Sequence, residues 1–183
     1  MGRSQGLEVL IRATQRARQR GVDVRTRIVG HGADVRRLVA LNEALGSPVE
    51  LLPHVAADEV FGHYTWADTT VVSLRDWEPF QWTVPSKLYE LMATGKHVTA
   101  AVAGEAAELV RQSCSGDVVA PGDVEGIAEL WVQLAADRAR VASRDGGRSW
   151  VAANVDYDVI AKRYLQVIQE ALANFTAARH PRS

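Results

Sequence analysis

Apolar residues first recur at helical spacing, through Leu7, Leu10, Ile11, Thr14 and Ala17, until Gly21. Residues 24–29 then alternate polar and apolar and end at Gly30, which predicts a short strand after the helix. The helical period resumes over 34–45 and stops at Gly46, residues 49–52 form a strand broken by Pro53, and a helix runs from Asp58 through Trp66. Residues 69–74 are the next strand. A long loop carrying Trp77, Pro79, Phe80 and Trp82 leads to a helix at Ser86, followed by a strand over 97–101, a helix over 105–113 and a strand over 117–120. Beyond Pro121-Gly122-Asp123 the pattern is helical only, over 124–136, 137–153 and 156–175, with a polar tail behind it. Tyr157, Tyr164, Leu165, Ile168 and Leu172 make the last helix amphipathic, as for packing on a core or on a neighbour.

Strands that alternate with helices imply an α/β fold with a doubly wound parallel sheet covered on both faces and right-handed crossovers. Ligands of such sheets bind beyond the carboxyl ends of the strands. That rule selects Gly30-His31-Gly32, Pro53-His54-Val55, the loop over 75–85 and the turn Ala103-Gly104-Glu105.

A chain of 183 residues with 47% hydrophobic content can bury a sizeable core. No run approaches the roughly 20 apolar residues of a membrane span, and the first residues lack a signal-peptide core, so the expected location is cytoplasmic. The net charge of −1 hides an asymmetry: residues 1–40 hold nine arginines against three acids, and residues 41–130 hold four basic residues against fourteen acids. Arg12, Arg16 and Arg20 recur at helical spacing as a solvated face does, and without interleaved aromatics no nucleic-acid partner is expected. One cysteine, Cys114, excludes an internal disulfide, and His31, His54, His63 and His97 lack metal-ligand spacing, so no metal is expected. Gly30-x-Gly32 has Val at position 35, where the dinucleotide fingerprint needs glycine.

The segment Pro85-Ser86-Lys87-Leu88-Tyr89-Glu90-Leu91-Met92-Ala93-Thr94-Gly95-Lys96 carries the most chemistry. Its helix begins on the ligand-binding rim, so the amides of Ser86 and Lys87, with the Lys87 ammonium, are placed to hold a phosphate. Glu90 shares a face with Ser86 and could accept two ribose hydroxyls, while Leu88, Leu91 and Met92 can point to a core. The other reading of the same residues is a capped amphipathic core helix with a solvated Glu90–Lys87 pair. Glu105 and Glu108 could meet ligand hydroxyls or only favour a helix start. Trp77, Phe80 and Trp82 could stack on a sugar or shield the sheet.

Gly6-Leu7-Glu8-Val9-Leu10-Ile11, Ile28-Val29-Gly30-His31-Gly32, the segment from Pro85 to Lys96, Gly104-Glu105 and Val119-Ala120-Pro121-Gly122-Asp123 together resemble the carboxyl-terminal, nucleotide-sugar-binding domain of GT-B, group 1, family-4 retaining glycosyltransferases. The match covers nearly the whole chain and is closest to the branch that includes fucosamine-type transferases of polysaccharide assembly. It implies a Rossmann-like nucleotide-sugar-binding domain over 1–153, a carboxyl-terminal helix over 154–175 packing on the same or a missing domain, and a polar tail over 176–183. By the same resemblance, Glu90 is the second Glu of a Glu-x7-Glu motif and binds the donor ribose. Ser86, Lys87 and Leu88 open the helix facing the diphosphate, His54 and Val55 read the base, and Gly30 and Gly32 let the ligand approach. The first Glu of that motif is Trp82 here, and the family's diphosphate-binding Lys is Gln5, which leaves Lys87 and Arg3 to neutralise phosphate.

The resemblance implies no cofactor beyond a UDP- or GDP-linked sugar as donor substrate. It also implies an amino-terminal acceptor domain in cis or trans, and an acceptor that can lie at the inner face of a membrane. The family's domain opens with a strand before the turn that Met1-Gly2-Arg3-Ser4-Gln5-Gly6 resembles, so Met1 is expected to be internal to a longer reading frame or a cut end. In the doubly wound order that strand is central, and its loss exposes two edges mid-sheet. The isolated chain is then expected to be inactive. Two other functions fit the sequence: a noncatalytic module that pairs with a separate acceptor domain, and one half of a sugar-nucleotide epimerase.

Overall fold

The computed structural model describes residues 1–142 and 145–179. Its helices are α1 (Glu8–Gln19), α2 (Val35–Ala44), α3 (Ala57–Trp66), α4 (Ser86–Ala93), α5 (Gly104–Gln112), α6 (Val124–Ala136), α7 (Asp145–Asn154) and α8 (Tyr157–Arg179). The strands are β1 (Thr26–Val29), β2 (Val49–Leu52), β3 (Thr69–Ser73), β4 (His97–Ala101) and β5 (Gly116–Val119). Every strand pairing is parallel, as the alternation requires.

The strands form two sheets. β1 pairs with β2, in register from Thr26 opposite Val49 to Val29 opposite Leu52. β3, β4 and β5 make the second sheet in that order. Side chains of β4 alternate between two apolar layers because successive Cβ atoms point to opposite faces. Ala101 belongs to a cluster with Leu10 and Ile11 of α1 and with Ile127 and Trp131 of α6. Val98 and Ala100 belong to the other, with Leu88, Leu91 and Met92 of α4 and Val110 of α5. All five β4 residues are buried, as expected of a strand covered on both faces. His97 is among them, satisfied by the Thr69 hydroxyl at 2.8 Å and the Asp117 carboxylate at 2.9 Å.

Three elements differ from the sequence reading. The helix read over 137–153 breaks into a 3-10 turn, Arg138–Val141, and α7, because the Asp137 side chain accepts from the Ala139 amide and starts a new turn. The loop after β3 contains a 3-10 helix, Glu78–Trp82, that packs against α5. Helix α8 continues to Arg179, past the predicted end at 175; residues 180–183 of the predicted tail lie outside the described residues. Its apolar residues are exposed: Tyr157 at 90%, Tyr164 at 71% and Leu172 at 59%.

The basic face of α1 is engaged within the molecule. Arg16 and Arg20 pair with Glu125 at 3.0 and 2.7 Å, and Arg20 also pairs with Glu129 at 3.0 Å, tying α1 to α6. Thus the charge asymmetry along the sequence is in part a complementarity between two packed helices.

Candidate functional site

The carboxyl ends of β1, β2 and β3 meet along one rim, and the amino-terminal residues cross it. The 3-10 turn Arg3–Gln5 precedes α1, and the Met1 amino group donates to the His31 carbonyl beyond β1. On the other side, beyond β3, Arg75 donates from its amide to Ser4 O at 2.9 Å and from Nε to Arg3 O at 2.6 Å. Gly32 makes this crossing possible: it has φ +151°, and a Cβ there would stand 2.4 Å from the Met1 carbonyl oxygen. The close approach expected at Gly32 is therefore made by the chain's own first residue. Gly30, φ +130°, has nothing within 4 Å of a built Cβ and remains open.

An ionic network underlies the crossing. Glu8, at the start of α1, accepts from Arg75 at 2.6 Å and from Arg37 at 2.8 Å, and Arg37 also holds the buried Asp34 at 2.6 Å. Burial alone would raise the Glu8 carboxyl, but a backbone N–H and the Arg37 and Arg75 guanidinium groups outweigh it and hold it below the usual carboxylate range. The Arg37 hydrogen bond does the same to Asp34. The sequence reading missed this network, since Glu8, Arg37 and Arg75 are far apart in the chain; the only signal was the position of Arg75 at a strand's carboxyl end.

Helix α4 starts on the same rim. Pro85 is its N-cap and supplies no side-chain cap, so the opening amides, with Ser86 and Lys87 exposed, are not closed off by a capping side chain. Leu88 packs inward, as its helical spacing allows: its side chain is fully buried among Leu91, Met92 and Val98, and its amide donates to Pro85 O at 2.8 Å. Glu90 is exposed one turn in. It accepts from Lys87 Nζ at 2.8 Å and from the Tyr64 hydroxyl of α3 at 2.5 Å, and Lys87 also reaches the Tyr64 oxygen at 3.3 Å. Burial works to raise the Glu90 carboxyl, yet the hydrogen bonds from Lys87 and Tyr64 prevail and lower it. The same contacts overcome burial to raise Lys87, while burial and the acceptor Glu90 both raise the Tyr64 phenol.

A cavity of about 720 Å³ opens beside this group, and Gln5, Gly30, His54, Val55, Tyr64 and Lys87 line it together with Met1. Five of the residues singled out in the sequence are thus brought to one hollow from four separate segments. His31 and His54 meet edge to face, with ring centroids 5.2 Å apart. Gln5 closes its own turn by accepting from Gly2 N at 2.9 Å, and Arg3 is exposed on the rim, held through its backbone. Glu105 is exposed at the start of α5, and Glu108 faces Arg111 and Gln112 of its own helix. Trp77 stacks on Phe80 at 5.5 Å while Trp82 is 73% exposed. Among the described residues no cluster of His, Cys, Asp and Glu is suited to hold a metal ion.

The family model described as Glycosyl transferases group 1 matches residues 1–137. The chain belongs to the group 1 glycosyl transferases. Its fold is that of the carboxyl-terminal domain of GT-B members of this family, with parallel strands flanked by helices and a helical extension behind them. Over 153 residues this glycosyl transferase domain is 31% identical to an exopolysaccharide phosphotransferase of Streptomyces coelicolor, covering 81% of the chain and 16% of that protein. Among solved structures, it superposes on sucrose-phosphate synthase of Thermosynechococcus elongatus with TM-score 0.73 at 23% identity, over 94% of the chain and 43% of the synthase. HepE of Anabaena in complex with UDP-glucose gives TM-score 0.70 at 25% identity, over 95% of the chain and 46% of HepE. The carboxyl-terminal domain of a group 1 glycosyl transferase (LpcC) from Francisella tularensis gives 0.66 at 19% identity, over 86% of the chain and 84% of that domain. The chain therefore spans 16% of its curated relative and less than half of the sucrose-phosphate synthase and HepE chains. Among the described residues no helix is long and apolar enough to cross a membrane.

Proposed function

We propose that this chain is the donor-binding wall of a retaining glycosyltransferase of polysaccharide or glycoconjugate assembly, and that it takes a UDP- or GDP-linked sugar. One observation carries this reading: α4 opens on the rim without a side-chain cap, with Lys87 at its first turn and Glu90 one turn behind it. A diphosphate at the helix start would meet backbone N–H groups, the positive end of the helix and the Lys87 ammonium. Drawing Lys87 toward phosphate releases one partner of Glu90, and a freed carboxylate can accept two vicinal ribose hydroxyls. His54 and Val55 line the same hollow as Lys87, and this supports a role in reading the base. HepE, a relative in fold, is found with UDP-glucose, which supports a nucleotide sugar here.

Trp82 and Gln5 replace two charged groups expected from the family pattern, so donor-sugar contacts differ and phosphate charge rests on Lys87 and Arg3. The Pro85-Ser86-Lys87-Leu88 opening favours the fucosamine-transferase-like branch. Transfer needs an amino-terminal acceptor domain as the facing wall, where the sugar is oriented and diphosphate departure is electrostatically assisted. This domain alone binds donor without turnover, on the cytoplasmic side of a membrane-borne acceptor.

Calorimetric titration with UDP and with GDP tests the site. Glu90→Ala should weaken the preferred nucleotide by about tenfold or more, the cost of leaving hydroxyl donors unpaired. Equal affinity of the parent and Glu90→Ala would remove Glu90 from the site.

A further inference from the structure

Among the described residues Glu90 has two side-chain partners, Lys87 from its own helix and Tyr64 from α3. They are held very differently. The Tyr64 ring packs against the apolar cluster that contains Leu88, Leu91 and Met92, while its hydroxyl reaches the rim. Lys96, just past α4, donates from Nζ to Thr65 O at 3.2 Å and so ties this end of α3 to α4. The Lys87 side chain is more than half exposed, and its ammonium ends a flexible four-carbon stem.

The three groups close a triangle. Lys87 Nζ donates to Glu90 Oε2 at 2.8 Å and to the Tyr64 oxygen at 3.3 Å, and the single Tyr64 hydroxyl proton goes to Glu90 Oε1 at 2.5 Å. Burial and the acceptor Glu90 both raise the Tyr64 phenol, so it keeps that proton at neutral pH and remains a donor. An anion at the open amides of α4 acts on the two partners unequally. Lys87 stands in the first turn of the helix and can turn its ammonium to the anion, whereas Tyr64 has two side-chain torsions and a ring seated on the core. Lys87 therefore leaves Glu90, and Tyr64 stays.

We propose that Tyr64 is a positioning residue for the donor ribose: when a diphosphate draws Lys87 away, the Tyr64 hydroxyl remains on Glu90 Oε1 and holds the carboxylate in place to accept two vicinal ribose hydroxyls. This role rests on the donor reading above and adds the group that keeps Glu90 in position during the exchange. Each carboxylate oxygen has two acceptor positions, so the Tyr64 bond and both ribose hydroxyls fit on the same group. Without the Tyr64 hydroxyl, Glu90 keeps the Lys87 ammonium alone and either follows it toward the phosphate or swings free in water.

The test is a double-mutant cycle read by calorimetric titration of the parent chain, Tyr64→Phe, Glu90→Ala and the double variant. Three probes are used: whichever of UDP and GDP binds the parent more tightly, its 2′-deoxy form, and inorganic pyrophosphate. Tyr64→Phe removes the hydroxyl and keeps the ring on the core, and thermal unfolding midpoints check that all four chains are folded. Tyr64→Phe should weaken the ribonucleotide about three- to tenfold, reduce the preference for it over the 2′-deoxy form, and leave pyrophosphate within about twofold. The double variant should lose no more than Glu90→Ala alone, because Tyr64 acts through Glu90. Unchanged ribonucleotide affinity in Tyr64→Phe, with Glu90→Ala weakened, overturns the positioning role and leaves the donor site standing. Additive losses in the double variant, an undiminished preference for the ribonucleotide in Tyr64→Phe, or equal losses for pyrophosphate and ribonucleotide overturn it as well, by making Tyr64 a separate contact or a structural residue. Unchanged affinity in Glu90→Ala, or no nucleotide binding by the parent, removes the donor site and this role with it.

Discussion

Glu90 shows how far a single side chain can be read from its neighbours in sequence. Its place one turn behind Lys87 follows from helical spacing, and the 2.8 Å ion pair between them is a local contact. Tyr64 reaches it from another helix, and nothing in the alternation of apolar residues over 57–66 marks that hydroxyl. Glu8 is a sharper case. It stands at a helix start, where an acid is ordinary, and it is the centre of the network with Arg37 and Arg75 that seats the amino-terminal turn on the rim. Its carboxyl is lower in the folded state than in the unfolded chain, so protons bind the unfolded chain more readily. The stabilisation is complete above the ordinary glutamate value of about 4.3 and is lost as pH falls through the lowered folded value. Glu8→Gln should cost about 1–2 kcal/mol at neutral pH, with the gap from the parent closing in acid. Urea titrations of both proteins across pH measure it, and a gap that stayed constant with pH would assign the loss to packing.

At the scale of elements, caps and glycines explain most boundaries. Helix α6 begins where it does because Asp123 accepts from the Gly126 amide at 2.8 Å, closing an N–H that the helix start leaves without a partner. Asp123→Ala should destabilise the domain by about 1 kcal/mol and Asp123→Asn by much less, since the amide oxygen still accepts. Denaturant midpoints compare the three, and equal losses in both variants would show that charge rather than the cap is at work. Helix α4 lacks such a cap and is held instead by Leu88, Leu91 and Met92 in the core, so its first amides are available to a ligand. The 3-10 turn ahead of α7 was hidden because Asp137 competes for a backbone amide by a local contact that hydrophobic periodicity does not report.

Across the whole molecule, two features stand apart from the compact core. Helix α8 is 23 residues long, packs against α7 and leaves Tyr164, Leu165, Ile168 and Leu172 exposed. Removal of residues 155–183 should shift the midpoint of thermal unfolding by less than about 2 °C, because little apolar area is lost from the core. Scanning calorimetry checks this; a drop of about 8 °C or more would show that α8 covers part of the core. The second feature is the divided sheet: β1 and β3 share no ladder, and both line the cavity that Met1 also lines.

Period, turn residues and the strand-end rule were enough to read the α/β class, the order of the elements through α6, and the rim on which Gly30, His54 and Lys87 gather, because each is encoded by residues close in sequence. The order of motifs from Gly6 to Asp123 was enough to place the chain among the group 1 glycosyl transferases. Tertiary structure alone decided that Met1 occupies the approach at Gly32, that Tyr64 reaches Glu90, and that Glu8 joins Arg37 and Arg75 in one network. Those are contacts between segments distant in the chain, set by how helices cross the sheet, and no local pattern of polar and apolar residues carries that information.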